Sequence, residues 1–580
     1  MKPSFLVFKN FFLRVFSRIR ILFFCIIVFA IILIAKLFLV QVIQSNSYKE
    51  KADRQYATPS SDIFERNGIY FKTKTGELVS AGIQTTGFKL AITPSEIVDI
   101  DGVFNKIKEI INIDHDKFKI SAEKKNDPYE EIANHLSKEE ADNISSLKIP
   151  GVSLYKEKWR FYPGASLASH TLGFVGYKKN ELAGRYGIER QYNNILSQNE
   201  NNPYVNFFAE VFSNINKKLG KENEMNGDII TTIEPTVQGF LEKKLTEVKE
   251  KYSIDSIGGI IMNPQDGSIY AMGVKPDFNL NDFSGTANAS TFSNPLVENV
   301  FEFGSVVKPL VMAGALDTGV VTADTTYNDK GSVVIEKKEI FNFDKKGRGP
   351  GTTMQDVLNQ SLNTGMVFVY QHLGKENLRD YLFSYGIKNK TGIDLPNETS
   401  GLVSNLNSPR EIEYANASFG QGIAMTPIEI TRALASLGNG GNLVIPHVVK
   451  YIKYDDGTKK ELTYPTTPTK ISKKTADEIT RMLVGVMDKS LKGGLAKFDH
   501  YSVAVKTGTA QVAKENGGGY YLDRHTHSFF GYFPAYDPKF IVFLYAINPK
   551  GVPYASNTWA DPFLDITKFL LNYYEIPPDR

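Results

Sequence analysis

A serine and a lysine three residues apart, Ser305 and Lys308, are the first candidates for chemistry in this sequence. Gly304, directly before the serine, permits a sharp turn, and the apolar run that follows predicts a mostly buried helix. Residues three apart on a helix share a face, so the hydroxyl and the amine would meet. Because burial disfavours a charged lysine, Lys308 could offer an unprotonated amine that takes the serine proton during attack on a carbonyl. Ser305 is therefore the candidate nucleophile.

The Ser-x-x-Lys pattern is common, and its surroundings decide which copy matters. The pattern also occurs, in polar and charge-rich sequence, at Ser121/Lys124, Ser145/Lys148 and Ser153/Lys156. Only Ser305 opens an uncharged apolar helix. Since the chemistry needs a buried lysine, we expect the other three pairs to be inert.

A hydroxyl and an amide two residues apart, Ser361 and Asn363, lie where a second apolar helix gives way to a turn. Such a turn could direct a proton relay and a hydrogen-bonding amide into one cleft. Ser-x-Asn is a weak pattern, because Ser197-Gln198-Asn199 matches it as well. The position after the Ser305 helix makes Ser361 and Asn363 the candidates.

Lys-Thr-Gly occurs three times, beginning at Lys74, Lys390 and Lys506. The first precedes every candidate nucleophile and the second lies in a loop-like stretch, whereas the third ends a strand-like alternation. Small residues there would let a strand edge lie close to an extended substrate, while a lysine and two hydroxyls hold a carboxylate. Lys506 is thus a candidate catalytic residue, and the candidate substrate-binding residues are Thr507, Gly508 and Thr509.

Length and composition limit the number of domains and the classes of function that the chain could have. At 580 residues the chain is too long for one hydrophobic core, so several domains are expected. The formal net charge of +3 is too small to imply nucleic-acid binding. Cys25 is the only cysteine, which excludes an intramolecular disulfide and a cysteine-based metal site.

The first 43 residues predict a single membrane anchor. Residues 1–20 are basic without an acidic residue and predict a cytoplasmic tail, while the apolar run 21–43 is interrupted only by Lys36 and Gln41. At about 1.5 Å per residue this run spans roughly 34 Å, enough for a bilayer core of about 30 Å. Because no small-x-small cleavage site precedes Gln44, an uncleaved anchor is favoured over a signal peptide.

Residues 44–227 predict a non-catalytic α+β pedestal or dimerisation-type domain, because they contain no metal-ligand cluster and no phosphate loop. Within them the pair Asn67-Gly68 predicts a turn between extended segments. His170 has no second histidine or cysteine nearby, so we interpret it as structural rather than as a metal ligand.

Residues 228–580 predict the catalytic domain, a central antiparallel sheet flanked by helices. The fold class is accordingly mixed, α+β or α/β. Apolar patterning and turn residues predict strands at 229–233, 257–263, 268–272, 501–505, 528–534 and 540–548, and helices at 235–251 and 472–495.

Taken together and in this order, Ser305-x-x-Lys308, Ser361-x-Asn363 and Lys506-Thr507-Gly508 resemble the active-site set of penicillin-binding proteins and serine β-lactamases. The resemblance to class B penicillin-binding proteins extends over nearly the whole chain. It includes the anchor, the Arg66-Asn67-Gly68 segment, residues 160–176 and 187–192, Ser418-Phe419-Gly420-Gln421-Gly422 and the strand near 529–534. The Ser-Leu-Asn form and residues 414–446 are more similar to the division-type branch than to the elongation-type one.

The resemblance implies a peptidoglycan D,D-transpeptidase that penicillin and other β-lactams inhibit. Ser305 would attack the penultimate D-alanine carbonyl of a stem peptide, terminal D-alanine would leave, and an amine of a neighbouring stem would resolve the acyl-enzyme. By the same resemblance Lys308 would be the base for Ser305. Ser361 would pass a proton to the leaving amine, and Asn363 would orient Lys308 and the substrate amide.

Further implications concern binding and partners. Lys506, Thr507 and Thr509 would receive the terminal carboxylate, and the backbone NH groups of Ser305 and Thr509 would form an oxyanion hole. The family needs no metal and no organic cofactor. Its class B members pair with a multi-span glycan polymerase, so that polymerase, other cell-wall synthesis proteins and the plasma membrane are the implied partners, with the catalytic domain outside the cytoplasm.

The sequence departs from the family pattern at three places and leaves alternatives open. Ser60-Ser61 replaces the usual Arg-Gly, Glu65 the usual aspartate and Phe303 the usual proline. An elongation-type transpeptidase remains an alternative, and so do two less favoured functions. A β-lactamase would need a base that activates water, and none is identified. A penicillin-sensing or non-catalytic binding protein conflicts with the full set of reactive residues and the single anchor. A bifunctional synthase would need a polymerising domain before Asp228, where no acidic motif indicates one.

Overall fold

The computed structural model describes residues 65–178, 181–197, 226–283, 288–514 and 517–580, together with Phe29, Leu33 and Lys36. Apart from those three single residues, the predicted anchor at 21–43 lies outside the described residues, as do Ser60 and Ser61. Within the ranges just given, no helix combines the length and the apolar character that crossing a bilayer requires. The described residues form two compact units, one of residues 86–159 and one of residues 65–85 and 160–580.

The described residues form strands of 2 to 15 residues. In chain order they are β1 (Ile69–Lys72), β2 (Leu78–Ile92), β3 (Glu130–Leu136), β4 (Val152–Phe161), β5 (Val175–Lys178), β6 (Glu181–Gly184), β7 (Gly227–Thr231), β8 (Ser256–Met262), β9 (Ile269–Lys275), β10 (Thr326–Asp329), β11 (Ser332–Ile335), β12 (Lys338–Phe341), β13 (Gly349–Thr353), β14 (Asn442–Leu443), β15 (Val449–Tyr454), β16 (Lys459–Glu461), β17 (Thr467–Pro468), β18 (Ala504–Ala513), β19 (Tyr520–Phe533) and β20 (Phe540–Ile547).

The α-helices lie between these strands, singly or in runs. In chain order they are α1 (Ile100–Lys108), α2 (His115–Glu123), α3 (Lys138–Ser146), α4 (Ser169–Leu172), α5 (Gly187–Gln191), α6 (Asn193–Leu196), α7 (Pro235–Tyr252), α8 (Pro295–Glu298), α9 (Lys308–Asp317), α10 (Met354–Asn359), α11 (Asn363–Leu373), α12 (Lys375–Ser384), α13 (Glu411–Ala417), α14 (Pro427–Gly438), α15 (Lys473–Lys489) and α16 (Ala555–Tyr573).

The smaller unit is an α+β arrangement with its own core. The second half of β2 pairs antiparallel with β3, and α2 packs on β3 and on α1. Each helix starts at a side chain that accepts a backbone N–H, such as Asp99 for α1 and Ser137 for α3. The apolar faces of the helices and strands meet in a cluster that includes Leu90, Phe104 and Phe118.

The larger unit is built on the central antiparallel sheet that the sequence predicts. Its strand order is β18-β19-β20-β8-β9, and every neighbouring pair is antiparallel. The predicted turn between β8 and β9 is present, because Asn263 accepts from the backbone of Gln265 and Gly267 adopts a φ of 85°. Helix α7 precedes β8, with Pro235 at its first turn and Glu234 as its N-cap, close to the predicted bounds.

Helices cover both faces of this sheet, as predicted. Consecutive residues of a strand point to opposite faces. The Gly531 backbone lies against Phe563 of α16, whereas the hydroxyl of Tyr532 lies 2.8 Å from that of Thr480 in α15. The first helix layer is completed by α7, which packs on β8 and β9, and the second by α14, which packs on β20. Helix α9 packs on α14 and α15 and is buried from Lys308 to Ala315.

Three predicted boundaries differ markedly from the structure. The strand predicted at 501–505 is β18, which runs from Ala504 to Ala513, and the other two differences have identifiable reasons. The helix predicted to reach residue 495 ends at Lys489, because Lys492 and Gly493 have left-handed φ values of 51° and 68°. Strand β19 starts at Tyr520 rather than near residue 528. Its first residues pair with Gln511 and Ala513, and they are polar or exposed, so they carry no apolar alternation.

The predicted turn at Asn67-Gly68 is wrong. Both residues are buried in extended chain that leads into β1. The Asn67 side chain donates to Asp455 at 2.8 Å, and the Gly68 backbone donates to Asp228 at 2.7 Å. These partners are distant in sequence, so tertiary contacts outweigh the local preference for a turn.

Candidate active site

The candidate nucleophile lies in a tight turn rather than on the α-helix itself. Gly304 to Val307 form a single 3-10 turn, and Lys308 is the first residue of α9. Gly304 has a φ of 63°, a conformation that side chains other than glycine rarely adopt. The sharp turn predicted before Ser305 is therefore present, and it places the partly buried serine at the wall of a cavity.

The nucleophile turn is pressed against β18. A Cβ atom on Gly508 would lie 2.3 Å from the Phe303 carbonyl oxygen and 2.4 Å from Ser528 Oγ. Ser528 in turn donates to the Phe303 carbonyl at 2.7 Å. On its other side, the turn receives support from the Gly304 N–H, which donates to the carbonyl of Gly420 at 3.2 Å. Gly508 is thus required by the close approach of the turn, and it does not line the cavity.

Lys308 is completely buried, with 0% of its surface exposed. Its Nζ lies 2.6 Å from the Ser361 carbonyl oxygen, 2.9 Å from Asn363 Oδ1 and 3.3 Å from Ser361 Oγ. Burial, followed by the charge of Lys506, lowers the pKa of Lys308 well below its usual value. A neutral amine has two N–H donors for the carbonyl and the amide oxygen, and its lone pair remains to accept a proton.

Ser361 connects two lysines. Lys506 Nζ donates to Ser361 Oγ at 2.9 Å, and Lys308 Nζ lies 3.3 Å from the same oxygen. The φ of Ser361 is 55°, a conformation uncommon outside glycine and one way in which functional sites hold local strain. This turn between α10 and α11 directs both the carbonyl and the hydroxyl of Ser361 at Lys308.

Lys506 is the second buried lysine of the site, with 1% of its surface exposed. Burial lowers the pKa of Lys506 to about 7. Its Nζ donates to the carbonyl of Thr507 at 3.0 Å as well as to Ser361. Strand β18 fixes this position, because Lys506 pairs with Phe530 of β19.

Asn363 begins α11 and faces Lys308 with its oxygen. Its Nδ2 donates to the carbonyl of Phe341 at 2.9 Å, which assigns Oδ1 to the side of Lys308. The contact with Phe341 thus fixes the orientation of the Asn363 amide, and this orientation places Oδ1 against the Lys308 amine.

A cavity of about 830 Å³ opens beside these groups. Its walls include Ser305, Ser361, Asn363, Lys506, Thr507 and Thr509. The Thr509 hydroxyl accepts from the backbone N–H of Ala555 at 3.1 Å, so its own proton is available to a ligand. The structure thus brings the predicted site residues together: six line the cavity, and Lys308 is buried behind its wall in contact with Ser361 and Asn363. Gly508 does not line the cavity and supports the turn from behind.

The competing Ser-x-x-Lys pairs have no such surroundings. Lys124, Lys148 and Lys156 are all exposed. The one lysine of the four that burial can neutralise is Lys308.

Sequence reasoning missed two groups of supporting residues. Asn342 and Asp329 are buried behind Asn363. In the sequence, Asn342 stands out only as the polar residue of the segment Ile340-Phe341-Asn342-Phe343. Glu302 is a second case, since its carboxylate accepts from the Tyr520 hydroxyl at 3.0 and 3.1 Å. Burial raises the pKa of Glu302, three residues before Ser305.

No metal-binding group was found in the described part of the chain, where three or more His, Cys, Asp or Glu side chains nowhere converge. His170 is buried, and its Nε2 lies 3.0 Å from the carbonyl oxygen of Thr291.

Two family models match the chain. The penicillin binding protein transpeptidase domain matches residues 257–567, and the penicillin-binding protein dimerisation domain matches residues 82–232. The first match covers every candidate site residue named above.

Individual proteins are also similar to this chain over most of its length. The chain is 30% identical over 526 residues to stage V sporulation protein D of Bacillus subtilis, covering 87% of this chain and 79% of that protein. It is 26% identical over 562 residues to peptidoglycan D,D-transpeptidase FtsI of Buchnera aphidicola, covering 95% and 94%. The crystal structure of penicillin binding protein 3 from Mycobacterium tuberculosis, complexed with aztreonam, shares the fold with a TM-score of 0.65 at 24% identity, covering 73% of this chain and 92% of that one.

Proposed function

The chain belongs to the penicillin-binding protein transpeptidase family, as a class B member, and we propose that it cross-links peptidoglycan stem peptides as a serine D,D-transpeptidase. The observation that carries the proposal is Ser361, whose hydroxyl lies between two fully buried lysines at the wall that also presents Ser305. This arrangement supplies a base, a proton relay and a cation to one cavity.

The positions of these side chains support the following steps for the acylation of Ser305. Ser305 Oγ attacks the carbonyl carbon of the penultimate D-alanine, and its proton passes to the neutral amine of Lys308. Backbone NH groups of Ser305 and Thr509 stabilise the oxyanion, and losing one such donor typically costs about 3 kcal/mol of barrier. As the carbon–nitrogen bond breaks, Ser361 passes a proton from Lys308 to the nitrogen of the leaving D-alanine.

Substrate binding uses the other end of the same wall. The terminal carboxylate pairs with the ammonium group of Lys506 and with the hydroxyls of Thr507 and Thr509. The acyl-enzyme then meets the amine of a second stem peptide, which takes the place of the leaving D-alanine and restores the Ser305 hydroxyl. β-Lactams acylate Ser305 by the same first step.

A division-type role is the finer proposal. It is supported by the relative named FtsI, which matches over 95% of this chain, and by the Ser-Leu-Asn form of the motif at Ser361. Residues 21–43 act as a single anchor in the plasma membrane, with residues 1–20 in the cytoplasm and residues 44–580 outside it. The partners are a multi-span glycan polymerase and other cell-wall synthesis proteins.

Labelling with a fluorescent penicillin tests the reaction. The full chain in detergent should acquire one label, and mass spectrometry should place it on Ser305. Ser305→Ala should remain folded and unlabelled, whereas the matched control Ser145→Ala should label like the wild type. A label that persists in Ser305→Ala, on Ser121, Ser145 or Ser153, contradicts the assignment.

A chimera tests the anchor and the partner. Residues 21–43 are replaced by an unrelated apolar span of equal length, and membrane insertion and co-purification with the polymerase are both measured. We expect insertion to persist and co-purification to fall. Undiminished co-purification assigns any docking to the domain outside the membrane.

A further inference from the structure

Asn342 is a buried amide directly behind the candidate site, with 1% of its surface exposed. Its Oδ1 accepts from the backbone N–H groups of Asn363 and Thr364 at 3.0 and 3.2 Å. These are the first two N–H groups of α11, which have no partner within the helix. Asn342 thus caps, from a separate segment, the helix whose first residue faces Lys308.

The orientation of the Asn342 amide is determined by Asp329. Asn342 Nδ2 donates to both carboxylate oxygens of Asp329, at 3.1 and 2.9 Å, and to the carbonyl of Lys346 at 3.1 Å. A carboxylate only accepts, so the NH₂ group must face Asp329 and the oxygen must face α11. Asp329 is also 1% exposed, and backbone N–H groups of Gly331 and Arg348 donate to it at 3.0 and 3.1 Å.

The residue next to Asn342 controls the side chain of Asn363. The carbonyl of Phe341 accepts from Asn363 Nδ2 at 2.9 Å. Phe341 and Asn342 therefore hold the backbone and the side chain of Asn363 at once. A reversal of the Asn363 amide would bring its NH₂ group against the Lys308 amine and would leave the carbonyl of Phe341 facing an oxygen.

We propose that Asn342, oriented by Asp329, is a positioning residue for the acyl transfer: it fixes Asn363 so that Asn363 Oδ1 aligns the Lys308 amine with Ser305 and Ser361. The inference rests on the proposed function, because it concerns the step in which Lys308 takes the serine proton. Asn342 touches neither the reacting atoms nor the cavity. Its effect on the reaction must pass through Asn363.

A double-mutant cycle tests this route. The second-order rate constant for acylation by a chromogenic β-lactam is measured for wild type, Asn342→Ala, Asn363→Ala and the double variant. Loss of a residue that supports a metal ligand from behind typically costs about 10- to 100-fold, and we take this range for a residue that supports the partner of a base. We expect Asn342→Ala to lower the rate constant within that range in the wild type, and less than twofold in the Asn363→Ala background.

A purely structural role predicts another pattern. Lost helix capping would lower the thermal midpoint and reduce acylation by the same factor in both backgrounds, and that result overturns the proposal. Ser472→Ala, which removes the N-cap of α15, is the matched control and should lower the midpoint without changing acylation. Acylation by Asn342→Ala that equals the wild type also overturns the proposal.

Two further measurements keep the outcome decisive. If Asn342→Ala does not fold, Asp329→Asn replaces it in the cycle, since it keeps the shape while it exchanges one of the two acceptor oxygens that orient Asn342 for an NH₂ group. The pH profile is the second readout: loss of an acceptor for the Lys308 ammonium should move the acidic limb of the rate to lower pH. A wild type that does not acylate overturns both the function and the inference, whereas an active wild type that is insensitive to Asn342 overturns the inference alone.

Discussion

The Nζ atom of Lys506 donates a hydrogen bond to the hydroxyl of Ser361 at 2.9 Å. Because Lys308 lies 3.3 Å from the same hydroxyl, a charge on Lys506 acts on Lys308 through one intervening side chain. Burial and the Lys506 charge both lower the pKa of Lys308. The cation that would hold a substrate carboxylate therefore also helps to keep the proposed base neutral.

The pH dependence of acylation should be bell-shaped. Acylation needs a neutral Lys308, so the rate constant rises as pH increases through the lowered pKa of Lys308. Carboxylate binding needs a charged Lys506, whose pKa burial lowers to about 7, so the rate constant falls as pH increases through that value. Measuring kcat/KM for a D-alanyl thioester between pH 5 and pH 10 should give an alkaline limb near neutrality, well below the pKa of about 10.4 of a free lysine.

Lys506→Arg provides the control for this profile. Arginine keeps its proton throughout the range, so the alkaline limb should disappear even if the maximum rate constant is lower. An alkaline limb that persists unchanged in Lys506→Arg would assign it to another group.

Lys308→Arg should abolish the reaction while the fold survives. The guanidinium group keeps a positive charge and cannot take the proton of Ser305. General base catalysis contributes about 10² to 10⁴, so acylation by penicillin should fall by roughly a thousandfold. Stopped-flow labelling measures the loss, and circular dichroism checks the fold. Acylation within tenfold of wild type would show that Lys308 acts only through its charge.

The motif residues could be predicted because each belongs to a short pattern whose neighbouring residues indicate burial and secondary structure. Ser305 precedes an uncharged helix, and Lys506 follows an alternating strand, so the local sequence alone indicates burial and direction. Asn342 could not be predicted, since its partners Asp329 and Asn363 are 13 and 21 residues away and meet it only in the folded chain. Asn67 shows the converse: its local turn preference yields to a hydrogen bond with Asp455, 388 residues later.

The structural role of Gly508 could not be predicted from the sequence either. The sequence indicates a small residue on a strand edge and suggests close approach of a substrate. What approaches is the turn that carries Ser305, through the Phe303 carbonyl. Two segments about 200 residues apart in sequence are in contact there, and no local pattern records such a contact.

Gly508→Ala should therefore impair acylation by displacing the nucleophile. The added methyl group would lie 2.3 Å from the Phe303 carbonyl oxygen, so either the turn or β18 must shift. A displacement near 1 Å can cost about a hundredfold in rate. Gly239→Ala is the matched control, because nothing lies within 4 Å of its added methyl group on α7. It should leave acylation unchanged and stabilise the helix by roughly 0.5–1 kcal/mol. Equal acylation rates for the two variants would contradict the prediction.

A buried cluster of charged side chains away from the cavity should contribute strongly to the free energy of unfolding of the larger unit. Glu189 lies between two arginines: its Oε2 is 2.6 Å from Arg66 Nε, and its Oε1 is 2.6 Å from Arg160 Nε. The side chains of Glu189 and Arg66 are 0% exposed and that of Arg160 is 3% exposed. Burial alone would raise the pKa of Glu189, but Arg160 and Arg66 outweigh it, and the pKa is lowered.

Glu189→Gln keeps the shape of this cluster and removes its negative charge. Two buried guanidinium groups then lack a counter-ion, which should cost about 3–5 kcal/mol of the free energy of unfolding at pH 7. Because the folded-state pKa of Glu189 is lowered, its contribution is present above the unfolded-state pKa, near 4.3, and is lost as pH falls through the folded-state value. The difference between wild type and variant in urea unfolding should therefore shrink in acid. Glu478→Gln, which breaks the exposed pair with Arg481, is the control and should cost no more than about 1 kcal/mol. A Glu189→Gln protein as stable as the Glu478→Gln protein at pH 7 would show that the two arginines find other partners.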